Sequence, residues 1–88
     1  MMINETVNLN GNVTLKDANG VDVIVAYVTS SLDASTENLN INMNVTNKTL
    51  LDTASATNVA GESVKVQYAE FETAVTARAK ELGYAIFA

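Results

Sequence analysis

Residues 38 to 47 read Asn-Leu-Asn-Ile-Asn-Met-Asn-Val-Thr-Asn. Leu39, Ile41, Met43 and Val45 fall on one side of this segment, and Asn38, Asn40, Asn42 and Asn44 on the other. Side chains alternate across a strand with period two, so the segment predicts a β-strand with one apolar and one wet face. Asparagine is a poor strand former. Its use four times running leaves two readings open: a plain solvated surface, or an edge on which another chain adds a strand. Neutral Asn gives little of the charge that commonly protects edge strands, and Lys48 is the nearest gatekeeper.

Two more strand patterns precede it. Val7, Leu9, Gly11, Val13 and Leu15 alternate with Asn8, Asn10, Asn12 and Thr14. Gly11 lies in the apolar register, where a strand glycine marks a bulge or a close approach. Asn19-Gly20 then predicts a hairpin turn. In the next segment Val21, Val23, Val25 and Tyr27 lie on one side, and Ile24, Ala26 and Val28 on the other. Apolar residues on both sides predict a central strand covered on both faces. Asp33 to Glu37 makes the next turn.

The period then changes. Asn47 is placed to cap a helical turn over about residues 48–53. Residues 54–61 are small and polar and carry no clear pattern. Val64, Tyr68, Phe71, Val75, Ala79 and Leu82 recur at spacings of three and four, one face of a helix over about residues 60–82. Arg78 and Lys80 suit its C-terminal end, and Gly83 stops it. The expected fold is a single α+β domain: a three-stranded antiparallel meander, with strands at about 4–15, 21–31 and 38–46. One long C-terminal helix packs on one face of it. One helix covers one face only, so the second apolar face of the central strand calls for a second copy or a partner. The candidate interface residues are Ile24, Ala26 and Val28, with Asn40 and Asn42 at the border and Tyr84, Ile86 and Phe87 in the apolar tail. The tail aromatics either fold back on the sheet or insert into a neighbour.

Composition removes most chemistry. The 88 residues contain no Cys, His, Pro or Trp. No thiolate can attack or bind metal, and no imidazole can activate a hydroxyl. Glu70 and Glu72 are two apart on a helix and point to different faces. Asp17-x-Asn19 begins like a calcium loop, but positions 5, 6 and 12 hold Val21, Asp22 and Val28. The glycines at 11, 20, 61 and 83 are isolated, so no phosphate loop is present, and Gly61 near a helix start has no basic neighbours. No catalytic residue, cofactor or metal is assigned. A polar pocket holding two or more carboxylates is the feature that would indicate an enzyme instead.

Ten acidic against five basic residues give a net charge of −5, which argues against binding nucleic acid or an anionic membrane. No apolar run approaches a membrane span, and the start Met1-Met2-Ile3-Asn4-Glu5 does not read as a signal peptide. The expected location is the bacterial cytoplasm or a virion. The sequons at Asn4, Asn12, Asn44 and Asn47 are then chance products of an Asn- and Thr-rich chain.

Ile3-Asn4-Glu5-Thr6-Val7-Asn8-Leu9-Asn10-Gly11, Val25-Ala26-Tyr27-Val28, Thr46-Asn47-Lys48-Thr49-Leu50 and Tyr68-Ala69-Glu70-Phe71-Glu72 resemble small phage and prophage proteins of low-GC Gram-positive bacteria. Those proteins are encoded among virion or tail-region genes. The resemblance implies a structural or assembly role, with the chain itself or other virion proteins as partners, and it carries over no catalytic residue. The competing expectation is a small acidic inhibitor or nucleic-acid mimic that blocks a host enzyme. It would require the carboxylates to line up in one continuous stripe.

Overall fold

The computed structural model describes residues 6–53 and 55–87. Asn4 and the predicted start of the first strand at about residue 4 lie outside them, as does Ala54 of the unpatterned segment. Three strands, β1 (Thr6–Lys16), β2 (Asp22–Asp33) and β3 (Asn38–Val45), form one antiparallel sheet in the order β1-β2-β3. A short helix α1 (Lys48–Leu51) and the long helix α2 (Val64–Glu81) follow. A 3-10 turn spans Ala85–Phe87. The class is α+β, as the periodicities predict.

The turns are set by named side chains. The carboxylate of Asp17 accepts from the backbone N–H groups of Asn19 and Val21, and Gly20 adopts φ +75°. This is the hairpin that Asn19-Gly20 predicts. Asn47 Oδ1 accepts from Leu50 N at 3.1 Å and caps α1. Ser63 Oγ accepts from Val66 N and caps α2, so the helix starts a turn later than the residue pattern implies. Gly83, at φ +88°, ends it.

The central strand departs from expectation. Val13 pairs with Ala26, but Thr14 pairs with Ile24, so Val25 opposes no residue of β1. Val25 is the extra residue of a β-bulge, and a bulge interrupts the alternation of faces. Val23 and Val25 before the break, and Ala26, Val28, Ser30 and Leu32 after it, all turn toward α2. Val25, Ala26, Val28, Ser30 and Leu32 are buried. Ile24 and Tyr27 remain on the outer face, 38% and 43% exposed. The expectation of a strand apolar on both faces is therefore corrected. Apart from Ile24 and Tyr27, the apolar residues of β2 belong to one face, joined through the bulge. Ala26 and Val28 lie in the core rather than on an open interface.

That core also holds Val13 and Leu15 of β1, Phe71, Val75 and Ala79 of α2, and Tyr84 beyond it. The helix face read from the sequence is the face that packs. Gly11 is not the bulge. A Cβ there would sit 3.3 Å from Val28 Cγ2 and 3.4 Å from Phe71 Cδ1, so the glycine makes room for the Phe71 ring.

α2 packs on β1 and β2. A helix is about 10 Å across and strands are spaced about 4.8 Å, so one helix covers roughly two strands. The third is left over.

Two substitutions test this packing. Gly11→Val should overpack the Phe71 contact and destabilise the fold by about 1–3 kcal/mol in urea titration. Ser30 is buried and its Oγ has no hydrogen-bond partner among the described residues. Leaving such a hydroxyl unpaired costs about 1–3 kcal/mol, so Ser30→Ala should raise the urea midpoint.

Candidate functional site

Two surfaces present chemistry. The first is a cleft of about 330 Å³ between the start of α2 and β1, lined by Gly11, Asn12, Thr14, Asn58, Glu62, Gln67, Glu70 and Phe71 among others. Gln67 bridges helix and strand: its Oε1 accepts from Thr14 N at 2.9 Å and its Nε2 donates to Thr14 O at 2.8 Å. Asn58 is buried, accepts from Glu62 N at 2.8 Å and donates to Glu62 Oε1 at 3.2 Å. The Gln67 amide holds the helix start to the sheet, and the Asn58 amide closes the turn before it on Glu62.

Glu62 and Glu70 meet at this cleft. A hydrogen bond from Glu70, then one from Asn58, holds the Glu62 carboxyl below its usual range. The bond to Glu62, then partial desolvation, pushes Glu70 above its own. The two carboxyls therefore titrate as one pair rather than independently. This pair was missed in the sequence, where Glu70 and Glu72 drew attention instead. No spacing in the sequence signals it, because Glu62 precedes the Ser63 cap of α2 and is positioned by its bonds to Asn58. The pair can hold and release a proton. This cleft is the two-carboxylate feature that would indicate an enzyme, but its Gln67 amide is engaged by Thr14 and its Asn58 amide by Glu62, so both polar groups beside the pair are used within the fold.

The second surface is β3. Its apolar row faces the helix side of the sheet, since Val28 pairs with Met43 and Leu32 with Leu39. Among the described residues, α2 packs on β1 and β2 rather than on this row. Leu39 is 37% exposed, Met43 40% and Val45 40%. Ile41 is partly buried against the core. The outer face of the sheet is polar and uncharged in its middle. Asn8, Ser31 and Asn40 form one row across it, Asn10, Thr29 and Asn42 the next, and Asn12, Tyr27 and Asn44 a third. Asn40 Oδ1 accepts from Ser31 N at 3.1 Å.

The sequence-derived candidates do not form one site. Ala26 and Val28 are in the core, and Ile24 is on the outer face. Tyr84 is buried, and its hydroxyl donates to Asn38 O, which ties the chain end to the start of β3. Burial, then the Asp33 carboxylate, raises the Tyr84 hydroxyl above its usual range and keeps it a donor. Phe87 packs partly on the core, while Ile86 is 83% exposed. Asn40 and Asn42 are exposed on β3. The uncovered Leu39–Met43–Val45 row, on the same strand, was passed over because its period-two pattern reads as a buried face.

No protein-family profile matches the chain, and no curated protein or solved structure matches it. Among the described residues, no helix is long and apolar enough to cross a membrane.

The carboxylate pair gives a pH-dependent prediction. The raised Glu70 contributes stability at acid pH and loses it as pH rises through its folded-state value. The lowered Glu62 contributes stability above its ordinary value and loses it as pH falls through its folded-state one. The pair is favourable with one proton, in mild acid, and repulsive with none. Glu70→Gln keeps a donor toward Glu62 at every pH. Its Tm should therefore exceed that of the unmodified chain at pH 7, and the gain should vanish in mild acid, as read by thermal melts across pH.

Proposed function

We propose that this chain is a small, non-enzymatic structural or assembly protein of phage or prophage type that acts through protein–protein contact and self-association. The observation that carries the contact mode is the uncovered apolar row of β3, Leu39, Met43 and Val45, continuous with the core through Ile41. An edge strand with an open apolar face invites a further layer or strand. The segments that resemble phage and prophage proteins support the setting, in a virion or the bacterial cytoplasm.

Charge placement disfavours the acidic-inhibitor reading. Asp22 lies opposite Lys16 near one end of the sheet, and Asp33 lies near the other. Asp52 pairs with Lys48, and Glu81 with Arg78. Glu62 and Glu70 share their own cleft. These carboxylates make separate groups rather than a stripe.

Sedimentation velocity over a range of concentrations tests the proposal. The unmodified chain should sediment above monomer mass. Met43→Lys places a charge in the open row, where a surface change alters fold stability by only about 0.5 kcal/mol. It should return the protein to monomer with an unchanged circular-dichroism spectrum. A strict monomer at high concentration defeats self-association. Peptides of this chain in purified particles, read by mass spectrometry, would support the virion setting.

A further inference from the structure

We infer that the occupant of the β3 edge is a second copy of this chain, paired antiparallel about a two-fold axis at Asn42. The inference rests on the self-association reading above and specifies its surface and register.

The sheet has two edges, and they differ. At β1 both backbone groups of Thr14 are taken by the Gln67 side chain, and Lys16 N donates to Thr57 O. An added strand would meet the start of α2 and the segment before it. The apolar side of β1 is already under α2. At β3 both the backbone edge and the apolar row are open.

The ladder phase says which groups of β3 are free. Thr46 N donates to Val25 O, so Val25 and Thr46 stand as a hydrogen-bonded pair. Such pairs alternate along an antiparallel ladder. By that alternation Tyr27 and Asn44, Thr29 and Asn42, and Ser31 and Asn40 bond one another, in the register of β2 with β3. The backbone N–H and C=O groups of Leu39, Ile41, Met43 and Val45 therefore point away from β2. The residues of the apolar row are therefore those with uncommitted backbone groups.

These four define the register. With Asn42 facing itself across the axis, Leu39 stands opposite the partner subunit's Val45, and Ile41 opposite the partner subunit's Met43. All four outward residues then exchange hydrogen bonds. Moving the axis to Asn40 leaves Met43 and Val45 without partners. A slip of one residue sets outward groups against inward ones and turns the apolar row to the wrong face. β3 carries no charged side chain, so two copies meet without repulsion. The product is a six-stranded sheet. On one side the two apolar rows join between the two helices, and on the other the Asn rows run on across the axis.

The chain has no cysteine, which makes the register directly readable. A non-hydrogen-bonded pair places Cα atoms about 4.5 Å apart, within the roughly 4.4–6.8 Å span of a disulfide. Asn42→Cys should therefore give a disulfide-linked dimer under mild oxidation, on the order of tenfold more than Asn40→Cys, whose own copy lies beyond that span. Adding Met43→Lys to Asn42→Cys should abolish the product, which separates a paired edge from random collision. If the unmodified chain sediments above monomer mass while Asn42→Cys does not cross-link, or Asn40→Cys cross-links as well, the register is overturned and self-association stands. If the unmodified chain is a strict monomer, both fail.

Discussion

The unpaired Val25 is the feature on which the monomer depends. β2 carries apolar residues at consecutive positions from Val23 to Val28. A regular strand would have to send half of them into water. The bulge breaks the alternation between Val25 and Ala26, so that both are fully buried on the side of α2. Burying the Val25 side chain is worth about 1.5–3 kcal/mol, a large share of what holds a domain of this size together. The same break leaves the outer face to Asn, Ser and Thr, with Ile24 and Tyr27 as its exposed apolar residues on β2.

A second constraint is width. One helix spans about two strands, and α2 is fixed over β1 and β2 by Phe71 above Gly11 and by Gln67 on Thr14. Those contacts decide which strand is left uncovered. β1 gains both a roof and a capped edge. β3 is held at its start by the Tyr84 hydroxyl on Asn38 O and is open along the rest of its length. The asymmetry gives the molecule one covered sheet edge and one open one.

Much of the fold was legible because periodicity reports burial. Val64, Tyr68, Phe71, Val75, Ala79 and Leu82 named the packing face of α2. Asn47 named the cap of α1, and Asn19-Gly20 the first turn. The start of α2 was placed too early because its cap, Ser63, follows a run of small polar residues with no clear pattern. The cleft was not legible: Glu62 and Glu70 lie on either side of the helix start, and only a structured Asn58 loop brings Glu62 back beside Glu70.

By itself the sequence determined the three strands, their order, the long helix and the absence of Cys and His chemistry. Each of these follows from residue type and from repeats of two or of three and four, which are local. Tertiary structure decided which face each residue of β2 took, since one extra residue in a ladder is visible only against its partner strand. It also decided that Ala26 and Val28 are core and that β3 is the open edge. The helix could have covered either neighbouring pair of strands, and the choice came from the Phe71 ring fitting over Gly11 and from Gln67 closing the backbone of β1.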